Sequence, residues 1–162
     1  MDRKLHQIAA LPLFANPDGR ADVCLVTARG SRRWIIPKGN PIRGLAPHEV
    51  ATQEAVEEAG LVGVAKRRCI GTFEFERIRD GREESCTVDV YVLMVKRRLR
   101  KWDEMDQRSV LRCDVRTALS LIRSRGLANL ISQVVPSEMP VKRIPAKSYW
   151  TSFTGSLAML AG

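Results

Sequence analysis

Glu54, Glu57 and Glu58 are spaced i, i+3, i+4, which on a helix puts three carboxylates along one edge. Like charges so placed repel by a few tenths of a kcal/mol per pair, roughly. They also precede Gly60, where a helix C-terminus and its dipole disfavour anions. The surroundings sharpen the pattern. From Gly44 to Ala65 there is no Lys or Arg, yet the whole chain carries a net charge of +9. A solvated face is the ordinary use of such a stripe. A bound divalent cation is the use that would offset its repulsion, and oxygen-only donors suit Mg²⁺ or Mn²⁺.

The elements that must position these acids can be read around them. Pro47 suits the first turn of the helix and Gly60 the residue after its last. Ala51, Ala55 and Ala59 make a small-residue stripe able to pack closely on a sheet. Strands are expected at His6 to Phe14, Asp22 to Ala28 and Trp34 to Ile36, with Lys38 to Gly44 a loop. Two strand-like runs, Lys66 to Glu76 and Cys86 to Val95, flank Asp80-Gly81, a hairpin signal. Trp102 opens a polar loop. Asp114 reads as the N-cap of a second helix with Gly126 beyond its end, and Leu127 to Val135 as a further short helix. Strands alternating with helices predict an α/β layered domain over residues 1–135. Residues 136–162, with three prolines and no clear period, read as a tail that is either extended and docked through Tyr149, Trp150 and Phe153 or partly disordered.

Composition narrows the function classes. The 162 residues fit one domain with a real core, 44% of them hydrophobic. Apolar runs are far short of a membrane span, and no convincing secretory signal opens the chain. The four cysteines are widely spaced and form no C-x-x-C pair, so reduced, mostly buried thiols in a cytoplasmic protein are expected. The positive charge points to an anionic partner, either nucleic acid or a polyphosphate.

Gly39, followed at the right distance by Q-E-A-V-E-E-A-G-L at Gln53 to Leu61, resembles the Nudix box. Glu54, Glu57, Glu58, Gly60 and Leu61 match its pattern. Leu45 stands in place of an acid, Gln53 in place of an Arg, and Ala55 in place of a bulky aliphatic. R-W-I-I-P-K-G at Arg33 and F-E-F-E-R at Phe73 also resemble the branch of diphosphoinositol polyphosphate and diadenosine polyphosphate hydrolases. The resemblance implies an α/β/α sandwich with a mixed sheet between helices, and metal-dependent hydrolysis of a pyrophosphate bond. It implies that Glu54, Glu57 and Glu58 bind Mg²⁺ or Mn²⁺ and that Gly39 lets the backbone approach metal or phosphate. Glu57 is the candidate general base. Arg29, Arg33, Lys38 and Arg77 are the candidate phosphate contacts, each at or next to a loop entering the site. Glu74, Glu76, Asp103 and Glu104 are further candidate ligands. Gln53 supplies no charge to brace the glutamates. The expected substrate is an anionic small-molecule polyphosphate, with no membrane partner. RNA 5′-pyrophosphate removal and a non-catalytic nucleotide- or nucleic-acid-binding domain are the alternatives, the former suited by the basic run Lys96-Arg97-Arg98.

Overall fold

The computed structural model describes residues 4–138. Their strands form one mixed sheet. β1 (Leu5–Ala15) runs parallel to β6 (Arg82–Arg98), in register from Leu5 opposite Cys86 to Leu13 opposite Met94. β2 (Ala21–Thr27) lies antiparallel on the other side of β1. β3 (Trp34–Ile35) then pairs with β2, and β5 (Leu61–Arg79) pairs with β6, giving the order β3-β2-β1-β6-β5. The hairpin of β5 and β6 turns at Asp80-Gly81, both at positive φ, as the Asp-Gly pair predicts.

The helices divide between the two faces. α1 (Pro47–Ala59) buries Val50, Ala51, Ala55 and Ala59 against Ile8, Ala10, Cys24 and Val26. Its alanines leave no bulk between helix and sheet. α2 (Val115–Leu121) and α3 (Arg125–Glu138) cover the opposite face, where Leu11, Leu13, Leu25, Val88 and Val92 meet Leu127 and Ile131. Each such fully buried Leu or Val contributes about 1.5–3 kcal/mol. The result is the expected α/β/α sandwich.

Four local expectations are corrected. Lys38 and Gly39 are not loop: as β4 (Lys38–Gly39) they pair with Ala9 and Ile8 of β1. The polar segment after Trp102 ends in an unforeseen strand, β7 (Val110–Asp114), which finds its hydrogen bonds along β2. Asp114 does cap α2, accepting the Thr117 N–H at 2.7 Å, but the helix stops at Leu121. Gly126 is therefore not its terminator and lies inside α3 instead. α3 also runs through Pro136 to Glu138, into the segment read as a tail; a proline in a last turn removes a single backbone donor. Tyr149, Trp150 and Phe153 lie outside the described residues. Of the thiols, Cys24 and Cys86 are buried, Cys113 is half-buried and Cys69 is exposed.

Candidate active site

Both ends of α1 are held, which fixes the glutamate edge. At its start the Glu49 carboxylate accepts the Ala46 N–H at 2.7 Å, and Pro47 needs no partner for a donor it lacks. At its end Gly60 takes φ 64°, and the Trp102 ring packs where a β-carbon on Gly60 would sit. The Glu104 N–H then donates to the Glu57 carbonyl at 3.0 Å. These contacts bring the 99–109 segment alongside the acidic edge.

The three carboxylates have different partners. Glu54 stands over Gly39, and a β-carbon there would fall inside its carboxylate. Glu57 accepts a hydrogen bond from Gln53 Nε2 at 2.7 Å. Glu58, 4% exposed, is ion-paired with Arg108 Nη2 at 2.9 Å and accepts from the Lys38 backbone N–H at 3.3 Å. Arg108 is itself buried; its Nε donates to Glu104 Oε2 at 2.9 Å and its Nη1 to the Thr27 carbonyl at 3.0 Å. One guanidinium thus ties α1, the 99–109 segment and β2 together.

Glu104 therefore joins the glutamates, as one of the further candidates from sequence. Arg108 is a residue that sequence reasoning missed. Its i, i+4 spacing from Glu104 was readable, but its bond to Glu58 crosses fifty positions of chain and has no local signature. The electrostatics follow from this crowding. Burial, then repulsion by Glu57 and Glu104, pushes the Glu54 carboxyl up to about 7. Burial pushes Glu58 up to about 8 even though Arg108 opposes it, with Glu54 and Glu104 adding repulsion. Burial lowers the Lys38 ammonium, against the attraction of Glu58.

This donor set fits a hard divalent cation by its chemistry. Its donor atoms are all carboxylate oxygens, and Glu54, Glu57, Glu58 and Glu104, once deprotonated, carry more negative charge than Arg108 and Arg29 neutralise. No three ligating side chains converge on one point among the described residues. The reason is visible: Glu57 is turned to Gln53 and Glu58 to Arg108.

All four candidate phosphate contacts, Arg29, Arg33, Lys38 and Arg77, line one cleft of about 1020 Å³. Lys38 Nζ donates to Gln7 Oε1 at 2.8 Å and sits 4.7 Å from the Phe75 ring centre. Arg29 Nη1 lies 3.6 Å from Glu104 Oε1, and Arg77 Nε donates to Glu84 at 3.0 Å. Glu74 and Glu76 line this cleft and not the glutamate edge. β4 is the partition between the two regions. Its Gly39 lies under Glu54, its Lys38 N–H donates to Glu58, and the Lys38 side chain belongs to the cleft.

A mixed sheet between α1 on one face and α2 with α3 on the other, with an acidic helix edge beside a short strand, can be compared with solved structures. An Ap4A hydrolase from C. elegans, in a binary complex, superposes with a TM-score of 0.59 over 80% of this chain and 93% of that one, at 16% identity. The chain has the Nudix fold. In sequence, the Nudix resemblance extends to two mitochondrial Nudix hydrolases of Arabidopsis thaliana. Nudix hydrolase 13 is 25% identical over 72% of this chain and 60% of its own length. Nudix hydrolase 12 is 28% identical over 70% of this chain and 58% of its own. The chain thus spans about 60% of the length of the curated relatives it matches. No protein-family profile matches it. In fold and in sequence, then, the chain is similar to Nudix hydrolases.

Proposed function

We propose that this chain is a divalent-metal-dependent pyrophosphohydrolase. Its substrate is a polyanionic small molecule, nucleoside-diphosphate-linked or of the diphosphoinositol polyphosphate kind. One observation carries the reading: β4 joins an acidic edge to a cation-lined cleft, Lys38 contributing its N–H to Glu58 and its side chain to the cleft. The likeness to an Ap4A hydrolase structure supports the dinucleoside polyphosphate arm.

Glu54, Glu57 and Glu58 would hold Mg²⁺ or Mn²⁺, with Glu104 as an additional oxygen donor. When bound, such a cation neutralises phosphate charge and makes water more acidic. The chain's own groups do the rest. Arg29, Arg33, Lys38 and Arg77 orient the phosphates by charge-assisted hydrogen bonds. Gly39, lacking a side chain, leaves the Glu54 carboxylate its position. Glu57 has Oε1 engaged by Gln53, so its Oε2 takes the proton from the attacking water. Arg108 keeps Glu58 and Glu104 in one orientation.

A second reading, a domain that binds nucleotide without hydrolysing it, is favoured by Gln53 and by the engagement of Glu58 with Arg108 and the Lys38 N–H. A phosphate-release screen separates the two. It uses Mg²⁺ and Mn²⁺ with dinucleoside polyphosphates, diphosphoinositol polyphosphates, nucleotide sugars and triphosphate-ended RNA. Metal-dependent release is expected from the small polyanions, lowered about a hundredfold or more in Glu57→Gln and Glu58→Gln. Unchanged release in both variants would refute these roles. Affinity without turnover under either metal would establish the binding reading.

A further inference from the structure

The cleft does not end at the four expected cations. A second cavity of about 620 Å³ adjoins it, sharing Ser31, Arg33, Trp34 and Arg123. This annex lies between the 28–33 loop and the end of α2. Its lining includes Arg32, Arg33, Arg123, Ser31 and Ser120, and no acidic residue.

The charges here differ from those deeper in. Arg29 and Arg77 each face a carboxylate, Glu104 and Glu84. Arg32 donates only to neutral groups, the Gln107 carbonyl and Ser109 Oγ. Arg33, Arg123 and Arg125 have no ion pair among the described residues, and all three line the larger cleft. Arg32, Arg33 and Arg123, brought together in the annex that no acidic residue lines, repel one another, and a concave wall strengthens their field. The two serines supply neutral donors beside them. Such an arrangement suits a compact oxyanion with several acceptor oxygens, for which the guanidinium fork is the matching shape.

We infer that Arg33 and Arg123, with Arg125 at the shared rim, form a second anion site for a phosphate group that the substrate carries away from its scissile bond. This rests on the pyrophosphohydrolase reading and deepens it. The enzyme would favour substrates that carry a further phosphate beyond the cleaved pyrophosphate over those, such as nucleotide sugars, that are neutral there.

The test is titration calorimetry of the full chain with inorganic tripolyphosphate in EDTA, where no hydrolysis occurs. Wild type is expected to bind, and Arg123→Gln/Arg125→Gln to bind about tenfold or more weakly. The double Lys variant, which keeps charge and loses the fork, should fall between. The three arginines are exposed, so folding is expected to survive; matching thermal melts check this. Equal affinity in wild type and the Gln variant overturns the inference. So does equal competition by a single-stranded RNA with a 5′-hydroxyl, which would make the annex a backbone site for nucleic acid. Weakened binding in a protein that turns over nothing would keep the anion site and refute the hydrolase reading. Turnover of polyphosphates with no effect of the arginines would do the reverse.

Discussion

Arg108 decides how the acidic edge is organised. Its guanidinium and the Glu58 carboxylate are both under 10% exposed, so neither is screened well by water. Arg108→Gln removes the partner of a buried carboxylate and is expected to destabilise the metal-free protein, more at about pH 9 than at about pH 6, where a protonated Glu58 has less charge to strand. In Arg108→Gln/Glu58→Gln the stranded charge is gone, so urea unfolding should show the double variant losing less than Arg108→Gln alone. The raised carboxyls make a second prediction. Glu54 and Glu58 rise from 4.5 to about 7 and 8, so the folded state binds more protons than the unfolded chain across that window. Their contribution to stability is complete below about pH 4.5 and is lost as pH climbs through 7 and 8. Urea midpoints in EDTA should therefore fall between pH 5 and 8, where a cation competes with fewer protons and Mg²⁺ should restore most at pH 8. A pH-independent midpoint with no response to Mg²⁺ would contradict the burial of these acids.

At the scale of elements, β4, only two residues long, is the most consequential. Two residues pair with β1 and thereby hold a backbone amide against Glu58 and a bare Cα under Glu54. Gly39→Ala tests this separation of stability from site geometry. Gly39 is not at positive φ, so Ala strains no backbone. Its methyl meets the movable end of a glutamate, which can swing aside. Thermal melts should shift little, while metal-dependent turnover should fall at least about tenfold as Glu54 is displaced. A variant with full activity would show that the Glu54 position over Gly39 is dispensable. α1 was legible from sequence because Pro47, the alanine stripe and Gly60 are local signals. β4 and β7 were not, because each is too short for a local pattern to mark it and owes its strand character mainly to partners on β1 and β2.

Over the whole molecule, the sheet sets an acidic edge beside a cation-lined cleft, and the Arg29–Glu104 pair joins the two. The glutamates belong to the α1 face, and the larger cleft reaches the start of α3 on the other. With a net charge of +9, attraction of a polyanion acts over a Debye length of about 8–10 Å at physiological salt and is screened beyond it. The apparent KM for a polyphosphate should therefore rise steeply as salt is raised from about 50 to 200 mM, with kcat nearly constant. A salt-insensitive KM would remove the electrostatic role of the cleft. By itself the sequence determined the α/β class, the acidic edge and the helix that carries it. Each of these is written in short-range spacing, periodicity or turn chemistry. Tertiary structure alone decided that Arg108 would neutralise Glu58, that Glu104 would join it, and that Arg123 and Arg125 would extend the cleft. Those residues meet across tens of positions, and such meetings are set by how strands pair and helices pack.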